Sequence, residues 1–406
     1  MTIHFWYGLF RLGFAVVFIG LHIALMIGLL VAWRRDRRAC AQGFSPKGFA
    51  LKPGLPRVSV IIPVHNEQRC LPDLLQSLAV QAYPEAEFIF VDDRSSDASP
   101  EILWGFAGRF PEGTVQIITL QENPGPNYKQ YALGKGIAAA SGEFLLFTDA
   151  DCQVPPMWIR SMLARMGDTQ VGLTIGPVFK CSQEPGFLYQ YQCFDHAVRY
   201  MYLAGSTGIG AAGGGFGNNL ILREEALRSI GGYTAVPVSP TEDAALIARL
   251  RDCSAYQIRS AFGREVFVMT GIEHSWEDFT NQALRWNNGG LFSPDPATRF
   301  NFRVLMITIS MGILALFVLP IVPSLWPLSG AVLVSMSLNT LATLRLFGSA
   351  LPSKRSIYLI HLVFTPLYFT VLTILGFCRF KVTWKGSTLK TSWQQGKKQH
   401  AADYRE

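Results

Sequence analysis

Pairs of carboxylates recur in this sequence directly after runs of apolar residues. Asp92 and Asp93 end one such run, and Asp149 and Asp151 follow another, at residues 144–147. In an extended chain, residues i and i+2 point the same way, and two close like charges are costly unless a cation lies between them. Because Mg²⁺ and Mn²⁺ take oxygen ligands and bridge phosphate oxygens, the pattern predicts a site for a divalent cation and a phosphorylated ligand. The alternative is a solvated turn with incidental acids.

A third acidic cluster, Thr241-Glu242-Asp243, stands directly before an apolar-periodic stretch at residues 244–250. Threonine is a common N-cap residue, and acids in the first turn of a helix interact favourably with the helix dipole. The cluster therefore predicts the start of a helix, and capping by itself explains it. A role in acid or base chemistry is compatible with the same position.

Gln282, Arg285 and Trp286 share one face of a predicted helix, at positions i, i+3 and i+4. A guanidinium there neutralises charge on a departing diphosphate, and an indole ring offers a flat surface on which an acceptor stacks. The alternative is a Trp/Arg pair at a membrane interface, because an apolar stretch begins at Val304.

Strand and helix patterns alternate along residues 58–148. Continuous β-branched runs predict buried parallel strands, and periodic apolar stretches between them predict helices. The alternation predicts a doubly wound α/β sheet with ligands at the carboxyl ends of the strands, where both aspartate pairs lie. No GxGxxG follows the first predicted strand and no GxxxxGK[ST] occurs, which excludes the dinucleotide fingerprint and the P-loop. The predicted strands are residues 58–63, 87–91, 115–120 and 143–148, and the predicted helices are 71–79 and 131–140.

The order and spacing of these clusters resemble the D, DxD, TED and QxxRW motifs of membrane-integrated family 2 glycosyltransferases. That group holds cellulose, chitin and hyaluronan synthases and ceramide glucosyltransferase. The resemblance covers residues 57–300. It implies a GT-A nucleotide-sugar-binding fold with a mixed, doubly wound sheet, and transfer of a sugar from a nucleotide to an acceptor at a membrane. A shorter similarity, to glycosyltransferases near the carotenoid glucosyltransferases, lies at residues 382–386.

The resemblance also implies roles for single residues. Asp149 and Asp151 would hold Mg²⁺ or Mn²⁺ on the donor diphosphate, and Asp243 would be the general base of an inverting transfer. The remaining catalytic residues implied are Gln282, Arg285 and Trp286. The donor-nucleotide contacts implied are His65, stacking on uracil, Glu67, bonding the base, and Asp93, Lys129 and Asp149.

Several of these positions have simpler explanations. Asp93 is also placed to cap a helix, and a lone lysine such as Lys129 is usually a solvated surface charge. Seven glycines within residues 205–217 are typical of a flexible loop, although the resemblance favours backbone close to the sugar or the acceptor. The aromatic segment at residues 187–203, which contains Arg199, is typical of a core helix or of a helix that contacts lipid.

An apolar stretch at residues 12–33 is long enough to cross ~30 Å of hydrocarbon as a helix. Arginines cluster behind it at residues 34–38, whereas only Arg11 and His4 precede it. The positive-inside tendency therefore predicts that the catalytic domain is cytoplasmic. A cleaved signal peptide would show the reverse charge order, so we expect an uncleaved anchor in the inner or plasma membrane of the cell.

Three further apolar stretches, at residues 304–322, 325–344 and 357–378, predict two or three C-terminal membrane segments. Three crossings would place the basic residues after Cys378 outside, against the positive-inside tendency. Pro366 therefore predicts that the last stretch breaks into a re-entrant or interfacial hairpin, which leaves the tail in the cytoplasm. The predicted domains are an anchor at 1–34, a GT-A domain at 57–300, membrane segments at 304–378 and a basic tail at 379–406.

Composition excludes several other classes of protein. The 406 residues are 49% hydrophobic with a mean hydropathy of +0.22, which fits a folded domain with a few membrane segments. The excess charge of +7 lies beside the apolar stretches, so the expected partner is anionic lipid rather than nucleic acid. Seven scattered cysteines without a CxxC pair indicate neither a disulfide framework nor a zinc site.

The resemblance, together with these features, implies an inverting, metal-dependent transferase that moves a hexose, with glucose expected, from a UDP-sugar to a hydroxyl of a membrane lipid. The nearest alternative is a processive polysaccharide synthase acting as an oligomer, because a single chain offers few helices for a polymer channel. The second alternative is a non-catalytic membrane protein with a nucleotide-sensing domain. The presence of Asp243 and Arg285 argues against it, because a sensor needs no base.

Overall fold

The computed structural model describes residues 2–42, 54–181, 186–348, 351, 357–378, 382–384 and 387–389. The chain separates into two compact units. The sheet unit comprises Leu30–Ser182 and Ser206–Gly271, and the helical unit comprises Met1–Leu29, Gln183–Gly205 and Ile272–Glu406. Most of the predicted basic tail lies outside the described residues.

Ten strands belong to the sheet unit. They are β1 (Val58–Val64), β2 (Ala86–Asp93), β3 (Val115–Leu120), β4 (Phe144–Phe147), β5 (Cys152–Gln153), β6 (Val171–Ile175), β7 (Val178–Cys181), β8 (Leu220–Arg223), β9 (Gln257–Ser260) and β10 (Val268–Gly271). Seven of them form a central sheet in the order β3-β2-β1-β4-β8-β6-β9. Strand β8 is antiparallel to both of its neighbours and the other pairs are parallel, which confirms the predicted mixed α/β sheet.

Helices cover the central sheet because their apolar faces match its buried strands. All four residues of β4 are buried, as expected where both faces of a parallel strand are covered. Helix α2 shows the matching helical pattern, since its four leucines, at positions 71, 74, 75 and 78, are its buried residues. The helices of the chain are α1 (Thr2–Gln42), α2 (Leu71–Ala79), α3 (Ser99–Ala107), α4 (Tyr128–Ala139), α5 (Trp158–Ala164), α6 (Phe187–Gly208), α7 (Glu224–Ser229), α8 (Glu242–Cys253), α9 (Trp276–Leu291), α10 (Pro296–Val318), α11 (Trp326–Phe347) and α12 (Ile357–Phe377).

The helical unit has its own apolar core, built from α9 to α12 with the parts of α1 and α6 that belong to this unit. Phe18, Phe279 and Phe369 are among its buried residues. A short hairpin, β11 (Val382–Trp384) with β12 (Ser387–Leu389), completes the described part of the unit. A core of this kind allows the helices to pack against one another as a bundle.

Within the described residues, three helices are long and apolar enough to cross a membrane, at Gly8–Ala41, Pro296–Val318 and Pro323–Phe347. The first and second correspond to the predicted anchor and to the first C-terminal stretch. The third corresponds to the predicted stretch at residues 325–344, which contains more serine, threonine and asparagine than the other apolar stretches. The described apolar part of α12, Leu362–Phe377, is shorter than a full span.

The predicted break at Pro366 is wrong. Helix α12 is continuous through this proline. Proline removes one backbone hydrogen bond from a helix, and helices in apolar surroundings tolerate this where side chains and neighbouring helices compensate. The missing N–H is the helical partner of the Leu362 carbonyl oxygen. The Thr370 hydroxyl donates to the Pro366 carbonyl oxygen at 2.8 Å and the Thr373 hydroxyl to that of Phe369 at 2.7 Å, so neither bond replaces it. The last apolar stretch is thus one helix rather than a hairpin.

Candidate active site

The predicted donor residues lie at the carboxyl edge of the central sheet. Asp92 and Asp93 are the last two residues of β2, and Asp149 follows the end of β4 by two residues. Both strands pair in parallel with β1, so their carboxyl ends meet at the same edge. Residues of the sheet unit that were far apart in sequence are therefore brought together here.

Asp93 is buried, and both of its carboxylate oxygens accept hydrogen bonds. Arg94 Nε donates to Oδ1 and Asn123 Nδ2 donates to Oδ2, each at 2.8 Å. The backbone oxygen of Asp93 lies 2.6 Å from His65 Nδ1, which ties the loop after β1 to the end of β2. Asp92 accepts from the backbone N–H of Ser95, so it organises the turn.

Glu67 lies in the same loop as His65. Its backbone N–H donates to the Ser99 hydroxyl at 2.9 Å, and its backbone oxygen accepts from the first residue of α2. The loop is therefore fastened to the starts of α2 and α3. The positions of His65 and Glu67 beside Asp93 agree with a base-binding edge, and their contact with a nucleotide stays a prediction.

Lys129 is an ion-paired lysine rather than a solvated surface charge. Its Nζ lies 2.7 Å from Asp149 Oδ1 and 3.5 Å from Glu242 Oε1, and only 17% of the side chain is exposed. Burial lowers the pKa of the Lys129 ammonium, but Asp149 and Glu242 outweigh it and raise this pKa above its ordinary value. The single ammonium thus links the DxD segment to the start of α8.

Asp149 and Asp151 do not lie on an extended strand, as the i, i+2 argument assumed. Residues 150–151 form a turn, closed by the Cys152 N–H on the Asp149 carbonyl oxygen at 3.2 Å. Asp149 pairs with Lys129, whereas Asp151 Oδ2 accepts from the Thr270 hydroxyl at 3.0 Å. The two carboxylates are near each other in the chain but have different partners.

The carboxylates of Asp149 and Asp151 supply only some of the ligands that a divalent cation needs. No group of three or more His, Cys, Asp or Glu side chains that could hold a metal occurs within the described residues. Asp149 and Asp151 alone supply carboxylate oxygens at the turn after β4. Mg²⁺ commonly binds through one or two carboxylates, with phosphate oxygens and water as the other ligands. The residues present fit a cation that arrives with a diphosphate.

The pKa of the Asp243 carboxyl is strongly raised. Its Oδ2 accepts from the Gly217 N–H at 2.9 Å and its Oδ1 accepts from the Ala244 N–H at 2.7 Å. Burial, and then the negative charge of Glu242, raise the pKa of Asp243 to about 7, against the opposing effects of Ala244, Lys129 and Gly217. A carboxyl with this pKa exchanges protons near neutral pH.

Helix capping explains less of the Thr241-Glu242-Asp243 cluster than the sequence suggested. Thr241 occupies the N-cap position of α8, but its side chain makes no cap hydrogen bond. The glycine-rich segment is also more than a flexible loop, since a Cβ on Gly217 would lie 3.2 Å from the Cβ of Asp243. Backbone and carboxylate approach closely here, so a side chain at this position would press on Asp243.

Gln282, Arg285 and Trp286 belong to the helical unit, on α9. Gln282 Nε2 donates to Glu273 Oε1 at 2.6 Å, and the Glu273 N–H donates to Gln192 Oε1 at 2.8 Å. The Trp286 ring is partly exposed and packs against α6. These three side chains lie on one face of a helix, as predicted.

Sequence reasoning missed the residues that position the predicted ones. Asn123 bonds both Asp93 and the Tyr128 carbonyl oxygen, and Thr270 bonds Asp151. Asp195 forms a buried pair with Arg199 on α6. Asn123 precedes Pro124 in a turn signal that marks a loop, but no sequence signal identifies its partner.

The comparison with known sequences decides the family. Residues 16–397 match the sequence profile described as Glycosyl transferase family 21. The chain belongs to this family, which is related to family 2. A mannosyltransferase from Pyrobaculum calidifontis, solved with GDP-Man and Mn2+, has a TM-score of 0.53 and 18% identity over 89% of this family 21 chain and 99% of its own. That likeness concerns the fold, and the sheet is that of a GT-A glycosyltransferase.

Two curated relatives of this family 21 chain carry lipid-related names. A beta-monoglucosyldiacylglycerol synthase of Trichormus variabilis is 26% identical over 330 residues, which are 78% of this chain and 65% of that protein. An undecaprenyl-phosphate 4-deoxy-4-formamido-L-arabinose transferase of Yersinia pestis is 38% identical over 114 residues, 27% of this chain and 33% of that protein. The chain spans less than two thirds of the length of either relative.

Proposed function

We propose that this chain transfers one hexose, with glucose expected, from a UDP-sugar to a hydroxyl of a membrane lipid, with inversion at the anomeric carbon. The observation that carries the proposal is the cluster of charged residues at the carboxyl edge of the sheet. Lys129 pairs there with Asp149 and Glu242, and the neighbouring Asp243 has a raised pKa. Membership of the family supports glycosyl transfer as the reaction.

The donor nucleotide binds at the ends of β1 and β2 in this proposal. Asp93 is held in place by Arg94 and Asn123, and His65 lies beside it. A carboxylate at the end of the second strand of a doubly wound sheet is placed to bond a ribose or a base. The resemblance to family 2 enzymes assigns His65 and Glu67 to a uracil base, and UDP is expected on that ground.

Asp243 is the proposed general base. In an inverting transfer, the acceptor hydroxyl attacks the anomeric carbon while its proton passes to a carboxylate, and the bond from that carbon to the diphosphate breaks. The raised pKa of Asp243 brings its proton affinity closer to that of the attacking group. Gly217 and Ala244 fix the direction of the carboxylate through their N–H groups.

Asp149 and Asp151 are the proposed ligands of Mg²⁺ or Mn²⁺. When bound, such a cation would neutralise diphosphate oxygens of the donor. Lys129 already offsets the charge of Asp149, so a cation held there would share that carboxylate with the ammonium. We expect excess EDTA to abolish transfer and either cation to restore it. Full turnover in excess EDTA would exclude Asp149 and Asp151 as ligands of a required metal.

Arg285, Trp286 and Gln282 are proposed to serve the leaving diphosphate and the acceptor. A guanidinium offers several donors to phosphate oxygens, and a partly exposed indole offers a flat apolar surface. Gln282 is held by Glu273, which fixes its place on the helix. The lipid-related names of the two relatives support a lipid as acceptor. The apolar helices would place the chain in the membrane that contains this lipid.

One assay tests the proposed function directly. The purified chain is incubated with a panel of UDP-sugars and with extracted membrane lipids, and the lipid fraction is analysed by mass spectrometry. We expect one lipid class to gain the mass of a single hexose, and only with a UDP-sugar present. A water-soluble polymer would favour a processive synthase, and the absence of any sugar-bearing product would favour a nucleotide sensor.

A further inference from the structure

The ammonium of Lys129 contacts both carboxylate oxygens of Asp149. Its Nζ lies 2.7 Å from Asp149 Oδ1 and 2.8 Å from Oδ2. The two side chains are 17% and 27% exposed, so most of the pair is shielded from water. Exposed ion pairs are weak because water competes with them, whereas charges in a less polar surrounding interact more strongly. A second cation that binds Asp149 must therefore approach next to a positive charge.

A second carboxylate lies close to the same ammonium. Glu242 Oε1 is 3.5 Å from Lys129 Nζ, and 11% of the Glu242 side chain is exposed. Lysine carries its three N–H donors on a flexible four-carbon stem, so the ammonium changes partners without a movement of the backbone. That backbone is fixed, because Lys129 lies in the first turn of α4 and Asn127 caps this helix by accepting from the Gln130 N–H at 3.1 Å. The ammonium is thus able to leave Asp149 and remain paired.

The other proposed metal ligand has a neutral partner. Asp151 Oδ2 accepts from the Thr270 hydroxyl at 3.0 Å, and Thr270 lies on β10, which pairs with β5 directly after Asp151. A hydroxyl adds no charge beside the carboxylate, whereas an ammonium repels an arriving cation. Of the two proposed ligands, Asp149 is therefore the one whose access to a cation depends on a charged side chain.

A diphosphate at the carboxyl edge of the sheet would change this competition. Its oxygens attract both an ammonium and a divalent cation. In its presence Lys129 gains a further anionic partner, and the repulsion between the ammonium and a cation at Asp149 is offset by the charge between them. The cation and the nucleotide should then bind more tightly together than separately. By thermodynamic linkage, each tightens the binding of the other by the same factor.

We propose that Lys129 controls access to the cation site, so that a divalent cation binds Asp149 tightly only together with a nucleoside diphosphate. The inference rests on the proposed function for the donor and for Asp149 as a metal ligand, and it adds that the two bind as a unit. If Lys129 had only a structural role, its loss would weaken the site or leave cation binding unchanged.

Binding of Mn²⁺ without nucleotide tests this control. The full chain in detergent is titrated with Mn²⁺, and free Mn²⁺ is measured by electron paramagnetic resonance. We expect Lys129→Gln to bind Mn²⁺ about ten- to a hundredfold tighter than the unchanged chain. Lys129→Arg keeps the positive charge and should bind Mn²⁺ as weakly as the unchanged chain. Lys129→Gln combined with Asp149→Asn should lose the gain, because the released carboxylate is then missing.

The matched control is Lys135→Gln, which removes an exposed lysine from the same helix. It should leave the affinity for Mn²⁺ unchanged. Addition of UDP should tighten Mn²⁺ binding to the unchanged chain at least about tenfold, after correction for the Mn²⁺–UDP complex that forms in solution. The same addition should have a much smaller effect on Lys129→Gln.

Tighter binding of Mn²⁺ is a gain that the loss of a structural contact does not produce. Thermal unfolding identifies variants that fail to fold, and the effect of UDP on the unchanged chain needs no variant. The proposal would be overturned by folded Lys129→Gln with no gain, by a gain that survives Asp149→Asn, or by equal Mn²⁺ affinity of the unchanged chain with and without UDP. These affinities are measured without sugar transfer. The expected values in a chain that glycosylates no lipid would overturn the proposed function and leave the control by Lys129 standing.

Discussion

At the scale of single residues, the chemistry depends on how Asp243 is held. Two backbone N–H groups, from Gly217 and Ala244, point at its two oxygens, and the ammonium of Lys129 lies on the neighbouring Glu242. These groups favour the charged carboxylate, whereas burial and the charge of Glu242 oppose it. The balance leaves a carboxyl that accepts a proton more readily than an exposed aspartate does.

Asp243→Asn separates catalysis from support of the helix. The amide keeps one oxygen for a backbone N–H but does not accept the proton of a hydroxyl. We expect the rate of transfer to fall by ~10²–10⁴-fold, with UDP binding and thermal stability largely retained. The matched control is Asp252→Asn, an exposed aspartate at the other end of α8, which should leave the rate unchanged. Near-complete activity of Asp243→Asn would move the search for the base to Glu242.

The pH dependence follows from the raised pKa of Asp243. Below about pH 7 this carboxyl is protonated and is not a base, so kcat/KM should fall about tenfold per pH unit on the acid side. Glu242→Gln removes the neighbouring negative charge and lowers the pKa of Asp243, so the acid limb should move to lower pH. A pH–rate profile of both proteins measures this. An acid limb near pH 4, unaffected by the Glu242 change, would show that a different group limits the rate.

The sequence singled out the acidic clusters and Lys129 as candidates but did not show what these side chains touch. The acidic clusters and Lys129 stand out because each follows a strand or begins a helix. Their partners do not, because Asp151 and Thr270, or Asp93 and Asn123, are joined only by the fold. The contact of Lys129 with both oxygens of Asp149 is likewise visible only in the folded chain.

At the scale of elements, close packing of α4 on the central sheet depends on Gly136. A Cβ there would lie 2.6 Å from Ile61 Cγ2 and 3.1 Å from Val91 Cγ2, both on buried strands. Gly136→Ala should therefore lower the free energy of unfolding by ~1–3 kcal/mol through overpacking. Gly105→Ala, on α3, meets no atom within 4 Å and should raise it by ~0.5–1 kcal/mol. Chemical denaturation measures both, and equal effects would contradict the packing argument.

The sequence predicted strands and helices correctly where one pattern of apolar residues dominates. Strand β1 and helix α2 lie where the apolar patterns placed them, because a buried β-branched run and a leucine stripe leave little choice. Strand β3 also has the predicted bounds, although only its last residue is buried. The rules failed where contacts override local preference. Pro366 lies inside a helix that continues through it, and Asp149 and Asp151 lie at a turn after β4 where they have different partners.

At the scale of the whole molecule, the apolar helices and the arginines in the last part of α1 bear on the orientation of the chain in a membrane. We propose that the sheet unit is cytoplasmic, because the arginines at residues 34–38 follow the apolar part of α1. A variant that keeps Cys253 as its sole cysteine reports on this, since Cys253 is free and exposed on the sheet unit. Membrane-impermeant maleimide should label it only after the cells are permeabilised. Labelling in intact cells would place the unit outside.

The central claim is that one sugar is transferred to a lipid with inversion, and the structure of the product tests it most directly. Purified protein is given UDP-α-glucose and the lipid class identified by mass spectrometry, and the product is examined by NMR for anomeric configuration and number of sugars. The account predicts a single β-linked glucose, absent when Asp243→Asn replaces the unchanged protein. An α-linked product, a sugar polymer, or a lipid glucoside made equally well by Asp243→Asn would contradict it.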